Sequence, residues 1–402
     1  MHAHQRYFKP YSWREIDIIN CADFQQELKK NGINFYAGVP DSLLKDYCAF
    51  VSSNEEGHRH IIAANEGNAL ALAAGHHLAT GEIGLVYMQN SGLGNVVNPL
   101  MSLADPLVYS IPALLLIGWR GKPGVKDEPQ HAKQGQVTLK LLEAMEVEYA
   151  ILPENIEDAR KTLTEAVSYM KANNAPYALV VPPGTFASYD DSKCQEFKDE
   201  KGNYDSLLTR EEALKVLIPL LADTDVVVST TGKTSREIFE YREEYAQGHQ
   251  QDFLTVGSMG HSSQIALGMA LARPERNIYC IDGDGSFLMH MGALATNGAI
   301  SPHNLKHIVI NNGAHESVGG QPTVAESIDI PGIARACGYQ EVYQAQTEEE
   351  ILAGTRGLKL ASAPSLLEIK VKVGARSNLG RPTTSPIENK EQLMKFLNCQ
   401  EM

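Results

Sequence analysis

Short apolar runs alternate along the chain with longer stretches in which apolar residues recur at helical spacing. Parallel sheets that are covered on both faces by helices produce this alternation. The strands predicted in the first half are Phe35–Val39, His60–Ala63, Gly84–Met88, Ala113–Ile117 and Ala178–Val181. The helices predicted there are Ala22–Asn31, Glu66–Ala79, Val137–Met145 and Ile156–Ala172. The pattern therefore predicts an α/β domain with a mostly parallel sheet.

A second alternating set follows a polar, turn-rich segment that is typical of a surface linker. Its first helix, Thr209–Leu221, is predicted because Thr209 and Glu212 have the spacing of a capping box. Further strands are predicted at Asp225–Ser229, Asn277–Ile281, His307–Asn311 and Ser365–Val371. The predicted boundaries are 1–183 for the first domain, 184–208 for the linker, 209–385 for the second domain and 386–402 for a C-terminal tail.

The chain has 402 residues and a formal net charge of −14. This acidity argues against nonspecific binding to nucleic acid or anionic membranes, which requires a basic surface. The N-terminal segment lacks the apolar core of a signal peptide, and the most apolar run, Ile111–Gly118, is too short to span a bilayer. The cysteines show no CxxC pair or zinc-type spacing, so we expect reduced thiols in a cytoplasmic protein. They are Cys21, Cys48, Cys194, Cys280, Cys337 and Cys399.

Two polar motifs follow predicted strands of the second domain. They are GDGS at residues 283–286 and NN at residues 311–312, with 25 residues between GDG and NN. We expect these groups to lie together, because open parallel sheets bind ligands at the carboxyl ends of their strands. Carboxylate and amide oxygens suit Mg²⁺, and glycine amides can contact a diphosphate. GDG alone is common in turns, so the combination of the two motifs carries this prediction.

In the first domain, Glu66 directly follows a predicted strand and begins an alanine-rich helix. An acidic residue in the first turn of a helix is also stabilised by the helix dipole. Its position alone therefore does not distinguish a catalytic carboxylate from a structural one.

The GDG and NN motifs with this spacing resemble the diphosphate motif of the thiamine-diphosphate-dependent enzymes. The resemblance implies that Asp284, the Asn312 side chain and the Ala314 carbonyl bind Mg²⁺. It also implies that Glu66 is the carboxylate that hydrogen-bonds the aminopyrimidine ring of the cofactor. The other cofactor-binding residues that it implies are Asn90, Gly257, Ser258, Met259, Gly283, Gly285 and Ser286. Met259 is either an apolar wedge against the cofactor or an ordinary core methionine.

Thiamine-dependent decarboxylases commonly carry a middle domain, where this chain has only the linker. In this the chain resembles the phosphonopyruvate and sulfopyruvate decarboxylases. The blocks that carry the resemblance are 38–42, 118–121, 127–131, 134–135, 312–321 and 380–384. A single fused chain favours the phosphonopyruvate decarboxylase family, which converts 3-phosphonopyruvate to phosphonoacetaldehyde and carbon dioxide. The resemblance further implies a homodimer or larger homo-oligomer with active sites between subunits.

A phosphonate substrate requires an anion site apart from the diphosphate site, for which arginine and lysine are the usual residues. The candidates are Ser42, Arg120, Lys122, Arg376 and Arg381, with Lys233 as a further basic residue. Each basic residue has a solvated surface role as its alternative. His131, in a loop-like segment near Asp127 and Glu128, is the first candidate for proton transfer. Asp41 and His315 are further candidates.

Three alternative functions remain open. Sulfopyruvate decarboxylation is the same chemistry on a similar tetrahedral anion. Carboligation of the acetohydroxyacid synthase type would join two oxoacids, and the missing middle domain argues against it. A noncatalytic diphosphate-binding regulator could share the fold, but it would have no use for an activating Glu66.

Overall fold

The computed structural model describes residues 18–55, 57–190 and 206–398. Part of the predicted linker, residues 191–205, lies outside the described residues, as do Cys194 and Cys399. The cysteines within the described residues are all free thiols. No helix in the described part of the chain is both long and apolar enough to cross a membrane.

The first half forms a six-stranded sheet in which every paired strand is parallel. Its strands are β1 (Phe35–Gly38), β2 (His60–Ile62), β3 (Gly84–Gln89), β4 (Ala113–Gly118), β5 (Glu148–Ile151) and β6 (Tyr177–Val181). They lie in the order β2-β1-β3-β4-β6-β5. The central strands are almost entirely apolar, with Gln89 at the end of β3 as the exception, because helices cover both faces of the sheet.

Six helices accompany this sheet. They are α1 (Cys21–Lys30), α2 (Lys45–Asn54), α3 (Glu66–Thr80), α4 (Leu93–Pro99), α5 (Pro129–Ala144) and α6 (Ile156–Asn173). Helix α3 begins at Glu66 because the Asn65 side chain caps it, accepting a 2.9 Å hydrogen bond from the Asn68 amide. It ends at Gly81, whose left-handed backbone angle of φ 76° suits a glycine.

The second half forms another six-stranded parallel sheet. Its strands are β7 (Val226–Ser229), β8 (Asp252–Leu254), β9 (Ile278–Gly283), β10 (Leu305–Asn311), β11 (Glu341–Ala345) and β12 (Ser365–Lys370). Read from its β8 edge, the order is β8-β7-β9-β10-β12-β11. Numbered within its own half, each sheet therefore has the same order, second, first, third, fourth, sixth and fifth strand.

The helices of the second half begin with α7 (Arg210–Leu217), which Thr209 and Glu212 cap as predicted. The others are α8 (Lys233–Glu244), α9 (Ser262–Ala272), α10 (Asp284–Met289), α11 (Ala293–Ile300), α12 (Ile330–Ala336), α13 (Glu348–Leu360) and α14 (Pro386–Asn398). Helix α14 falls in the segment predicted as a C-terminal tail. It packs on β8, where Asn389 Nδ2 donates to the Asp252 carbonyl at 2.8 Å.

Each sheet separates two layers of apolar side chains. Along β4, Leu114 and Leu116 enter the cluster on one face, whereas Leu115 and Ile117 enter the cluster on the other. The second sheet is covered on both faces in the same way. The two sheets with their own cores confirm the predicted α/β fold class, and they bring both sets of polar motifs to carboxyl strand ends.

Candidate active site

Glu66 lies at the carboxyl edge of the first sheet, where α3 begins after β2. The residue is 5% exposed, and its Oε2 accepts a 2.6 Å hydrogen bond from Asn95 Nδ2. Its Oε1 lies against Gly92, at 2.3 Å from where an added methyl carbon would stand. Burial raises the pKa of Glu66, and the Asn95 hydrogen bond partly opposes the rise. A buried carboxyl of this kind is suited to exchanging a proton near neutral pH.

Arg120 and Ser42, both predicted substrate residues, meet at the same edge. Arg120 Nη1 donates to Ser42 Oγ at 2.6 Å. Arg120 Nε donates to the Asp127 carboxylate at 2.8 Å, and Nη2 donates to its other oxygen. This hydrogen-bonded pair holds the pKa of Asp127 below its usual value. The structure thus joins the predicted basic residue to a carboxylate that was noted only as a neighbour of His131.

Asp41 and Asn90 lie beside this group. Asp41 is fully buried, and its Oδ1 accepts a 2.6 Å hydrogen bond from Gln89 Nε2. Burial raises the pKa of Asp41, and the Gln89 hydrogen bond opposes the rise. Asn90 Nδ2 donates to the Arg120 carbonyl at 2.8 Å and to Thr138 Oγ1 at 2.9 Å. Asn90 therefore fixes the turns after β3 and β4 to each other.

His131 lies in the first turn of α5, so the prediction of a loop is wrong here. Pro129 begins this helix, because a proline lacks the N–H that would be unpaired at this position in any case. The His131 side chain is buried, and its Nδ1 has no hydrogen-bond partner among the described residues. Burial, reinforced by the charge of Arg120, lowers the pKa of His131. The imidazole is therefore neutral at pH 7.

The predicted metal ligands gather at the carboxyl edge of the second sheet, after β9 and β10. Asp284 is 2% exposed, and one carboxylate oxygen accepts a hydrogen bond from Thr323 Oγ1. Asn312 Oδ1 accepts a 3.1 Å hydrogen bond from the Ala314 amide. Burial raises the pKa of Asp284 to about 6, partly opposed by Thr323. A divalent cation beside this carboxyl would favour its ionised form.

The loop after β8 closes over the GDGS turn. The Gly260 amide donates to Ser286 Oγ at 3.0 Å. Met259 Cε and the His315 ring both approach Gly285, at 3.3 Å and 2.8 Å from where an added methyl carbon would stand. Burial lowers the pKa of His315 to about 4. The structure thus brings Met259, His315 and the GDGS turn together.

Two polar residues of this edge were missed by the sequence analysis, Thr323 and Glu316. Glu316 accepts from Asn312 Nδ2 at 3.0 Å, from Lys233 Nζ at 3.2 Å and from Arg210 Nη1. Burial acts to raise the pKa of Glu316, but the charges of Arg210 and Lys233 outweigh it, so the pKa lies below its usual value. Arg210 and Lys233 are 106 and 83 residues distant in sequence. No local pattern could have indicated this group.

The two carboxyl edges contact each other. Asn65 Nδ2, beside Glu66, donates to the Met289 carbonyl at 3.3 Å. Gly257 lies next to Gln130, with 3.4 Å between an added methyl carbon and Gln130 Cβ. The neighbouring Ser258 is exposed and has a φ of 54°. Residues of both halves therefore meet where the two carboxyl edges face each other.

The remaining basic candidates lie in different places. Arg381 of the second half forms an ion pair with Glu128 of the first. Lys122 Nζ lies 5.7 Å from the centroid of the Trp119 ring. Arg376 is paired with two glutamates between α7 and α8. Arg376 is therefore already neutralised on a surface formed by the second half alone.

Two family models match the chain. The model described as "Thiamine pyrophosphate enzyme, N-terminal TPP binding domain" matches residues 22–144. The model for the C-terminal TPP binding domain of the same enzymes matches residues 230–369. The chain belongs to the thiamine pyrophosphate enzymes. The resemblance inferred from GDG, NN and Glu66 is thereby confirmed, and the chain carries both thiamine-pyrophosphate-binding domains.

Relatives within the thiamine pyrophosphate enzymes match nearly the whole chain. The phosphonopyruvate decarboxylase of Streptomyces hygroscopicus is 36% identical over 389 residues, covering 94% of each chain. The sulfopyruvate decarboxylase of Methanosarcina acetivorans is 28% identical over 392 residues, covering 93% of this chain and 96% of its own. A solved thiamine diphosphate-dependent 4-hydroxybenzoylformate decarboxylase of Rhodococcus jostii is 15% identical, with a TM-score of 0.36, and covers 88% of this chain and 99% of its own.

The Methanosarcina acetivorans relative corrects one inference from the sequence. We expected a fused chain to favour the phosphonopyruvate decarboxylases over the sulfopyruvate decarboxylases. A sulfopyruvate decarboxylase that aligns with both halves of this chain shows that fusion occurs in both groups. The substrate must therefore be argued from other observations.

The second edge fits the diphosphate of thiamine pyrophosphate and a Mg²⁺ ion. Thr230 Oγ1, directly after β7, is buried and has no hydrogen-bond partner among the described residues. Gly283 leaves open space, because the nearest atom to an added methyl carbon is Thr230 Cγ2 at 4.0 Å. Phosphate oxygens would fill this space and accept from the hydroxyl. The carboxylate, amide and carbonyl oxygens beside it are the donor set of Mg²⁺.

Proposed function

We propose that this protein catalyses the thiamine-diphosphate- and Mg²⁺-dependent decarboxylation of 3-phosphonopyruvate to phosphonoacetaldehyde and carbon dioxide. The observation that carries the proposal is the contact between the carboxyl edge that holds Glu66 and the carboxyl edge that holds Asp284, Asn312 and Ala314, in a chain similar over its length to a phosphonopyruvate decarboxylase. When bound, the cofactor supplies the electron sink for the loss of carbon dioxide. Asp284, Asn312 and the Ala314 carbonyl hold the Mg²⁺.

Three buried groups of the first half move or hold protons. Glu66 shares a proton with the aminopyrimidine nitrogen of the cofactor, for which its raised pKa suits it. His131 is neutral at pH 7 and can accept or relay a proton. Asp41 is a buried carboxyl with a raised pKa, and it can donate a proton to the carbon atom that has lost carbon dioxide. Their burial also keeps water from the reacting atoms.

Replacing Gly92 with alanine is expected to lower kcat by roughly 10²-fold, the cost of misplacing a reacting group by about 1 Å. Gly92 has ordinary helical angles, so its backbone tolerates alanine, but the methyl group would overlap the Glu66 carboxylate. Gly94→Ala is the matched control, since no atom lies within 4 Å of its added carbon. Steady-state turnover of the two variants checks this expectation, and equal activity would contradict it.

Arg120, with the Ser42 hydroxyl, is proposed to bind the phosphonate. Removal of a hydrogen bond to a charged group costs about 1.5–3 kcal/mol, so Arg120→Ala is expected to lower kcat/KM for phosphonopyruvate roughly 10- to 150-fold. Arg376→Ala provides the comparison. If Arg376→Ala carries the larger loss, the assignment to Arg120 is wrong.

The direct test of the function is carbon dioxide release by the purified protein with thiamine diphosphate and Mg²⁺. Phosphonopyruvate, sulfopyruvate and pyruvate are supplied separately, and the aldehyde product is identified. We expect a large preference for phosphonopyruvate. Preference for sulfopyruvate would select the alternative that the Methanosarcina acetivorans relative favours. A carboligated product would indicate synthase chemistry, and cofactor binding without turnover would indicate a regulator.

We also infer that the protein is a cytoplasmic homodimer or larger homo-oligomer, whose active sites use residues of two subunits. Three consecutive apolar residues, Leu107, Val108 and Tyr109, are 94%, 48% and 68% exposed, which is typical of a surface covered by another subunit. If the first half of each subunit packed against the second half of its partner, the contact between the two carboxyl edges would be preserved, and each active site would use residues of two subunits. Sedimentation analysis tests the inference, and a monomer that is fully active would contradict it.

A further inference from the structure

We infer that Asp127 is a positioning residue that fixes the guanidinium of Arg120 so that its outer edge receives the phosphonate of the substrate. The inference rests on the proposed function and deepens it. Asp127 lies in the segment between β4 and α5, two residues before the first residue of α5. Nothing in its local sequence distinguishes it from the acidic Glu128 that follows.

The Asp127 carboxylate accepts four hydrogen bonds. Two come from the Nε and Nη2 of Arg120, and two come from the amides of Gly121 and Glu128, each at 2.7 Å. The side chains of Arg120 and Asp127 are only 17% and 14% exposed. Asp127 therefore fixes the loop and the guanidinium together. A bidentate pairing of this kind sets the plane of the guanidinium as well as its distance.

The pairing leaves a defined edge of Arg120 for another anion. Asp127 occupies the side formed by Nε and Nη2, whereas Nη1 donates to Ser42 Oγ at 2.6 Å. The fork formed by Nη1 and Nη2 is not otherwise hydrogen-bonded within the described residues. A tetrahedral anion can accept two hydrogen bonds from this fork and a third from the Ser42 hydroxyl. This geometry suits a phosphonate or a sulfonate, whereas the methyl group of pyruvate cannot accept these hydrogen bonds.

The hydrogen bonds of Asp127 to Arg120 favour substrate binding, whereas its negative charge opposes it. It repels an incoming phosphonate, so charge alone predicts that a neutral residue at this position would tighten binding. Orientation predicts weaker binding, because an unfixed arginine must be immobilised when the substrate binds, at a cost that corresponds to roughly three- to tenfold in affinity. The two effects have opposite signs, which makes the position testable.

The experiment compares Asp127→Asn with wild type as cofactor-loaded enzymes. We expect KM for phosphonopyruvate to rise roughly three- to tenfold while kcat stays unchanged. The melting temperature should fall, because asparagine cannot accept all four hydrogen bonds. The inhibition constant of methylphosphonate, which carries only the anionic end, should rise by the same factor. Asp158→Asn, an exposed aspartate of α6, is the matched control. A lower or unchanged KM, or a fall in kcat without a change in KM, would overturn the inference.

If Asp127→Asn does not fold, Ser42→Ala tests the same anion site. It removes the third donor without touching the four hydrogen bonds of Asp127, so KM and the methylphosphonate constant should again rise together. Unchanged values would overturn the site. If wild type does not turn over phosphonopyruvate, the proposed function fails. Calorimetric binding of methylphosphonate to the same holoenzymes then tests the Arg120 fork separately.

Discussion

Glu66→Gln is expected to lower kcat by about 10²- to 10⁴-fold, the usual contribution of a positioned acid–base group. Glutamine keeps the size of the side chain and can still accept the hydrogen bond from Asn95. It cannot take up or release a proton, so the aminopyrimidine nitrogen loses its partner. Carbon dioxide release at saturating cofactor and phosphonopyruvate measures the effect.

The fold should not suffer from this substitution. Burial raises the pKa of Glu66, which means that the folded protein disfavours the ionised form. Such a group costs stability as the pH rises above its unfolded pKa, and the neutral glutamine removes that cost. We therefore expect a melting temperature at pH 7 that is equal to or higher than that of wild type. Glu82→Gln, at an exposed position after α3, is the control. Near-normal turnover by Glu66→Gln would contradict the role of Glu66.

Asp284→Ala is expected to abolish Mg²⁺-dependent cofactor binding. The loss should exceed the roughly 10- to 100-fold that removal of a partner outside the ligand shell costs, because alanine removes the charged residue that we propose as a metal ligand. Titration calorimetry of thiamine diphosphate at fixed Mg²⁺ measures this directly, without relying on turnover. Activity should fall with binding and should not be restored by raising the cofactor concentration alone.

Two further variants show whether the loss of cofactor binding in Asp284→Ala is specific to the metal site. Thr323→Val keeps the Asp284 carboxylate but removes its hydroxyl partner, so we expect a loss within roughly 10- to 100-fold. Asp223→Ala changes an exposed aspartate of the same half and should bind as wild type does. If Asp284→Ala binds the cofactor as tightly as Asp223→Ala, the metal site lies elsewhere.

The central strands, and the positions of Glu66 and the GDGS turn at carboxyl strand ends, could be predicted because their signals are local. Strands such as β4 and β10 are buried along their whole length, and most of their residues are apolar, although β10 also buries Lys306, His307 and Asn311. The GDGS turn and Glu66 each directly follow such a run. A known topological rule, that ligands bind at carboxyl strand ends, then placed both groups without knowledge of the tertiary structure.

Three strands escaped prediction because they lie towards or at a sheet edge. β5 and β11 are partly exposed, and β8 has only three residues, so the apolar run of each is short. The start of α5 was missed because its first turns, from Pro129, are polar. Glu316 and the Arg120–Asp127 pairing depend on contacts made by tertiary folding. Such contacts between distant or charged residues leave no periodic pattern in a single sequence.

The shared strand order of the two sheets has a consequence for how a ligand is held. Each half carries its polar motifs at the equivalent carboxyl edge of its sheet, and the two edges contact each other. A molecule that binds both edges is held bivalently, because attachment of one end keeps the other at a high effective concentration beside its own edge. Weakening the contacts at either edge therefore lowers the avidity for the whole molecule, and the bound molecule in turn keeps the two halves in register.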